Sequence, residues 1–484
     1  MSVMEDFPEK NKHSKTAVIN CLEDLGCCSR CIVRFLEEKH PEENPKPFLN
    51  ANNFLMEITG FKDVVSEPSI KRRRDNLCRT CLGILEDSTI EKYLGSLSLD
   101  AMSKYKYSDY HLLISLPKTI LLRERSLLLY LRDCFPDTYH KCENPESLKK
   151  IFRLISSEQF SKKLNKTYMP NSPFKINMNI NYGNDEVEVK NMEKLSKKNV
   201  SRVSIEGIIA TCTDEAFKMH FPVPPSIPDT ETTLDVTFSA DTVYIGGRYL
   251  KFSREMGQSP WIINNKQMTE FCIQDVIFDS VVKILGFDRN KMTFSASGRE
   301  DADVRMLGNG RPFYIQIQDP LTDQITFEQL REIEDDILKS GIAAVVNMQK
   351  VDQSSIKKIK DGEEFKKKHY FALCKTLAPD VDSVIEVINS YGKEKFEIHQ
   401  KTPMRVLHRR TLAVRDRVIH SLRATSVPGH SDLIYVDLIT QAGTYVKEFV
   451  NGDFHRTEPN LSSITGYPVD VVALDVTGVE LDWP

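Results

Sequence analysis

Two short cysteine pairs, Cys28-Ser-Arg-Cys31 and Cys78-Arg-Thr-Cys81, constrain this chain more than any other feature. A CxxC turn places two thiolates on one side of a metal, and two such turns complete a closed tetrahedral four-cysteine site. One pair alone reads equally well as a redox dithiol; two pairs in the N-terminal third point to one structural Zn2+ held by Cys28, Cys31, Cys78 and Cys81. Four protein ligands leave no open position for catalysis. Arg30 and Arg79, inside the pairs, can offset the excess thiolate charge. Cys27 creates a register ambiguity, and Cys21 is a weaker substitute. Cys134, Cys142, Cys212, Cys272 and Cys374 read as ordinary thiols.

That pattern needs a reducing setting. The chain has eleven cysteines, and its first residues, MSVMEDFPEKNKHSK, carry no secretory signal, so thiols or metal ligands are expected rather than disulfides. No run of about 18 apolar residues is present, so no membrane span is expected. The 484 residues exceed one ordinary domain, and 65 Lys plus Arg against 69 Asp plus Glu exclude a polycation but not a local basic patch.

A proline-rich stretch, PEENPKP at 41–47, and a second, FPVPPSIPD at 221–229, mark linkers, the second being the better domain boundary. Leucine spacing in LLRERSLLLYLRDCF predicts a helix, whereas alternation across 172–190 around Gly183-Asn184 predicts a hairpin. TTLDVTFSADTVYIGG reads as two strands and 268–286 as a helix ending at Gly286. Strand alternation places Phe313, Ile315 and Ile317 on one face. A helix is predicted over 327–340, with Thr326 and Gln329 forming a capping box, Ile325 and Leu330 a staple, and Phe327, Leu330, Ile333 and Ile337 its buried stripe. LIYVDLIT and VDVVALDVTGVELD read as strands. Helices between strands, some joined by short turns, predict an α+β fold with a mixed sheet.

The densest polar stretch is SGREDADVRMLGNGRPF, residues 297–313. Three acids stand among Arg299, Arg305 and Arg311, and cations lower a carboxylate's pKa, suiting it to act as nucleophile or electrostatic stabiliser. Spacing alone favours a structural salt-bridge loop. The stretch resembles the catalytic-aspartate motif of pseudouridine synthases. It is most similar to the archaeal and eukaryotic family that modifies two adjacent uridines, fifty-four and fifty-five, in the TΨC loop of tRNA. The two CxxC pairs, GGRYLKFSREMGQSPWI, QKTPMRVLHRRTLAVRDRVIH and QAGTYVKEFVNGDFHRTEPN match that family in the same order, densely over about 240–484.

The resemblance implies an isomerase that uses no organic cofactor, with Asp301 as catalytic aspartate, Asp303 as bystander, Tyr370 as the active-site tyrosine, Lys447 pairing with Asp301, and Val446 packing beside the base. It implies a C-terminal catalytic domain with a mainly antiparallel mixed sheet over 235–484. It also implies a THUMP-like RNA-binding domain over 101–230, behind a zinc-binding module over 1–100. Whether the aspartate attacks ribose, attacks uracil or removes a proton stays open.

Residues 401–423 hold seven Lys or Arg against the single acid Asp416, with His408 and His420 among them. Arginine contacts to phosphate supply most sequence-independent affinity, so Arg405, Arg409 and Arg410 are expected to face RNA, with Arg299 and Arg305 beside the catalytic loop. Arg248, Tyr249, Lys251 and Arg254 read as a second basic and aromatic cluster suited to phosphates and bases. The lysine-rich stretch 350–368 reads either as an RNA-clasping arm or as an exposed loop. KRRR at 71–74 reads either as a nuclear-localisation signal or as a phosphate contact. The expected partner is tRNA, with other structured RNAs open, for a monomer of nucleus and cytoplasm. The alternative is an RNA-binding adaptor in RNA processing, microRNA processing for example, with catalysis secondary.

Overall fold

The computed structural model describes residues 9–36, 41–60, 77–139, 145–190, 201–263, 266–361, 366–408 and 410–484. They fall into two compact units, Met1–Ala240 and Asp241–Pro484. The first contains β1 (Asp109–Ser115), β2 (Thr167–Tyr168), β3 (Phe174–Tyr182) and β4 (Thr232–Ala240), in the order β2-β1-β3-β4. β1 runs parallel to β2 and β3, and β4 closes the edge antiparallel to β3. Parallel neighbours need a crossover, here supplied by the helices Thr119–Cys134 and Leu148–Leu164. The second of these buries Leu148, Ile151, Phe152, Ile155, Phe160 and Leu164, the helical repeat of an amphipathic face.

One continuous core runs from Val18 to Tyr182. The four cysteines and β1 to β3 share this core, and β4 lies in the same unit. The predicted hairpin at 172–190 is absent. β3 ends at Tyr182 and the chain enters the helix Asp185–Val189. Asp185 Oδ1 accepts the Thr119 amide at 2.7 Å, and Glu188 receives the Arg123 guanidinium and the Tyr182 hydroxyl. Tertiary anchoring overrides the local turn signal here.

The second unit contains β5 (Val243–Lys251), a two-stranded ribbon of β6 (Ile262–Ile263) and β7 (Lys266–Gln267), β8 (Met292–Ala296), β9 (Arg305–Ile317), β10 (Ala343–Val351), β11 (Lys367–Thr376), β12 (Phe396–Lys401), β13 (Val414–Ser426), β14 (Leu433–Gln441), β15 (Thr457–Glu458) and β16 (Val469–Val479). Among the described residues ten of these strands form one sheet, ordered β10-β5-β9-β16-β11-β14-β13-β12-β15 with β8 also beside β9. β9 and β16 pair in parallel, and the remaining pairings are antiparallel. Helices flank this sheet, as the α+β reading requires. Ile273–Leu285 ends at Gly286 in the left-handed region, and Phe327–Leu338 carries the capping box of Thr326 and Gln329. Leu330, Ile333 and Ile337 are buried, but Phe327 is 66% exposed. At the first helical position its ring lies under the Arg331 guanidinium, 4.7 Å from the ring centre, instead of joining the buried stripe. The lysine-rich stretch folds in part into the helix Gln353–Asp361, with Ile356 and Ile359 buried against Tyr314 and Trp483.

β9 begins earlier than the glycines of its sequence imply. Gly308 has φ +61°, and an added Cβ would lie 1.8 Å from the Thr477 carbonyl oxygen of β16. Only glycine lets the two strands approach there. Gly308→Ala is expected to destabilise the fold by about 2–4 kcal/mol, from left-handed strain plus overpacking. Gly286→Ala, whose Cβ meets nothing within 4 Å, should lower the urea midpoint much less. Equal midpoints for the two variants would contradict the close approach.

Candidate active site and metal centre

The stretch holding Asp301 runs between β8 and β9 and is organised by a buried ion pair. Glu300 and Arg311 each expose 1% of their side chain, with Nε to Oε2 at 2.7 Å. Arg311 also donates to the Ser297 carbonyl at 2.9 Å. Tyr249 donates its hydroxyl to Glu300, at 2.9 Å from Oε1, and Gln258 bridges the Tyr249 oxygen and the Gly298 carbonyl, both at 2.8 Å. Burial, reinforced by the Glu300 charge, pushes the Tyr249 phenol well above its ordinary value and keeps it a donor. The Lys251 ammonium donates to the carbonyls of Met256 (2.8 Å), Asp301 (3.1 Å) and Ala302 (2.8 Å). Lys366 bonds Ser297 Oγ at 2.7 Å. With Glu300 locked into the core, its neighbour Asp301 is left at the surface.

Asp301 exposes 35% of its side chain and faces two cations, Arg405 Nη1 at 2.9 Å and Lys447 Nζ at 3.6 Å from Oδ2. Lys447 sits closer to Asp303, at 2.7 and 2.9 Å. Burial alone would raise the pKa of Asp303, but the hydrogen bond and charge of Lys447 outweigh it and hold the carboxyl below the usual range. Asp303 is the nearer carboxylate partner of Lys447. Arg405, expected to face RNA, is the nearer partner of Asp301, and its Nε is fixed by the buried Glu448 at 2.6 Å. The sequence reading missed Glu448, although it directly follows Lys447 in GTYVKEF. Tyr370 lies on β11 between β14 and β16, packed on the core. Burial pushes its phenol up to about 12, partly offset by Arg311. Val446 is buried at the first position of the helix Val446–Asn451.

Other expected RNA contacts sort by burial. Arg248 is buried and donates to the carbonyls of Asn309, Leu481, Trp483 and Val479, so it ties the last residues to the sheet. With Tyr249 and Lys251 also buried and directed at protein groups, the expected basic and aromatic cluster is an internal support rather than an RNA-facing surface. Arg254 and Arg305 converge on Asp475, at 2.6 Å and 2.5 Å. Arg299 and Arg410 are exposed. Arg409 and the KRRR run lie outside the described residues.

In the first unit Cys28, Cys31, Cys78 and Cys81 are buried, with sulfur atoms all within 4.8 Å of one another. Cys28 Sγ lies 3.7 Å from Cys81 Sγ, and the Cys28 amide donates to Cys78 Sγ at 3.3 Å. Burial and mutual contact push the Cys31 and Cys81 thiols well up, whereas for Cys78 the hydrogen bonds from the neighbouring cysteines outweigh burial and hold its thiol well down. Four converging soft donors suit a metal ion. Cys27 falls outside this group, its sulfur 3.6 Å from the Thr80 hydroxyl. Arg30 and Arg79 do not face the sulfurs: Arg30 bonds Leu85 O at 2.6 Å and Asp87 at 2.8 Å, and Arg79 bonds Pro225 O at 3.1 Å. The guanidinium near the cluster is that of Arg34, 3.8 Å from Cys31 Sγ and paired with Glu124.

Burial, only partly opposed by Glu300, Asp303 and Asp301, lowers Lys251 to about 8. Between that value and the ordinary lysine value of about 10.4, the unfolded chain holds the proton and the folded chain does not. Stability from this group therefore rises with pH across that window. The urea midpoint of wild type minus that of Lys251→Met is expected to increase from about pH 8 to about pH 10. A pH-independent difference would remove the assignment.

Residues 244–480 match the family model "Pus10, C-terminal", and residues 78–237 match "Eukaryotic Pus10, N-terminal". The chain is 32% identical to the tRNA pseudouridine synthase Pus10 of Mus musculus and 30% identical to that of Homo sapiens, each alignment spanning 99% of both chains. The similarly named protein of Thermofilum pendens is 34% identical over 49% of this chain and 52% of its own length. Two adjoining family models and full-length relatives agree: the chain belongs to the Pus10 family.

Proposed function

We propose that this chain is a tRNA pseudouridine synthase that isomerises uridine in the TΨC loop, at position fifty-four, fifty-five or both, with Asp301 as the catalytic carboxylate. The observation that carries the reading is the exposed Asp301 carboxylate held between Arg405 and Lys447, on a stretch whose neighbouring glutamate is buried. It is supported by the names of the full-length relatives.

In the isomerisation the bond from uracil N1 to ribose C1′ breaks, a bond from C5 to C1′ forms, C5 loses its proton and N1 gains one. Atoms and charge balance without a redox partner. The Asp301 carboxylate, set against Arg405 and Lys447, suits attack on ribose or uracil, or removal of the C5 proton. Tyr370, kept protonated by burial, offers an aromatic face and an O–H donor to the extracted base. Val446 supplies an apolar wall. Exposed Lys401, Arg410 and Arg423 offer phosphate contacts. The first unit docks the tRNA through its THUMP-like part, with Zn2+ on the four cysteines as a structural brace.

Wild-type protein incubated with unmodified tRNA is expected to give carbodiimide-dependent stops in primer extension at the TΨC-loop uridines. Asp301→Ala should lose more than about a thousandfold in rate, as removal of a catalytic nucleophile does. Absence of stops with wild type, or full activity in Asp301→Ala, would sink the proposal. For the metal, purified wild type should hold about one zinc per chain by elemental analysis, and Cys28→Ser with Cys31→Ser should lose it. Unchanged zinc in that variant would argue against the four-cysteine site.

A further inference from the structure

The loop after the helix Val446–Asn451 holds a conformation that L-residues avoid. Gly452, Asp453, Phe454 and His455 have φ of +86°, +44°, +56° and +62°. Left-handed backbone presses Cβ toward the following carbonyl, and a bulky side chain there is an outlier. The turn persists because it is fastened at several points. The Arg456 amide donates to Gly452 O at 3.0 Å, and the Asp453 amide to Asn451 Oδ1 at 3.0 Å. Asp453 Oδ2 accepts the Met404 amide at 3.1 Å, and Arg456 donates to Thr402 O at 2.7 Å.

These contacts fasten the loop to residues 402–404, directly before Arg405, whose guanidinium holds Asp301. What the strained turn presents is Phe454, 88% exposed, with Met404 51% exposed across the Asp453 contact. An aromatic ring held in water by strained backbone gains nothing for the fold, and strain of this kind collects at functional sites. Exposed Lys401 and Arg410 lie on the same segment. A flat apolar ring, flanking cations and a nearby reactive carboxylate together match the chemistry of a nucleobase on its phosphate backbone.

We propose that Phe454 is a stacking platform for an RNA base next to the target uridine, holding the strand in register while the uridine reaches Asp301. This rests on the RNA-modifying reading of the second unit. Phe454→Ala is expected to lower kcat/KM on tRNA about tenfold, chiefly through KM, and Phe454→Trp to restore it. A TΨC-arm oligonucleotide carrying 2-aminopurine at either neighbour of the target should be quenched by wild type and Phe454→Trp but not by Phe454→Ala. If wild type modifies tRNA and Phe454→Ala matches it in kcat/KM and quenching, the stacking role is overturned while the activity stands. If wild type modifies nothing, the activity reading fails, and the quenching comparison alone decides whether Phe454 stacks on a base.

Discussion

The buried pair of Glu300 and Arg311 is the interaction on which the candidate active site depends. Two full charges leave water together, which is tolerable only with near-complete hydrogen bonding. Tyr249, Gln258 and the Ser297 carbonyl supply that bonding. Because these partners come from β5, from the segment after it and from the stretch before Asp301, the pair draws them into one rigid support. Removing one member of such a pair typically costs about 3–5 kcal/mol, so the support and the placement of Asp301 stand or fall together.

On that support the charges around Asp301 are paired in a chain rather than pooled. Glu448 holds Arg405, Arg405 holds Asp301, Lys447 reaches Asp301 at longer range, and Asp303 draws Lys447 toward itself. Beneath them, Lys251 gathers the backbone carbonyls of Asp301 and Ala302. The carboxylate is thus surrounded by positive charge whose positions are set by other acids.

Local patterns in the chain were legible where the physics is local. The Thr326 capping box, the Gly286 terminus and the two CxxC turns each need only a few neighbouring residues, and all are present as read. Reading failed where distant groups decide. The turn signal at Gly183-Asn184 gave way to Thr119 and Arg123, which capture Asp185 and Glu188. Arg248, Lys251 and Arg405 look alike in sequence as cations, yet one ties down the C-terminal segment, one braces a loop and one meets Asp301. Burial separates these roles, and a charge pattern carries no information about burial. Arg30 and Arg79 show the same limit beside the cysteines, where Arg34, outside both pairs, is the neighbour of sulfur.

By itself the sequence determined the residue types available for chemistry: four cysteines at metal-binding spacing, an aspartate amid arginines, and a mixed strand and helix pattern that an α+β fold must satisfy. Only the tertiary structure decided which acid is buried and which exposed, which cation meets Asp301, and that a strained turn lifts Phe454 into solvent. The reason is physical. Spacing along the chain sets local geometry, whereas the energy of a charge or an exposed ring depends on neighbours brought from far along the chain and on how much water they exclude.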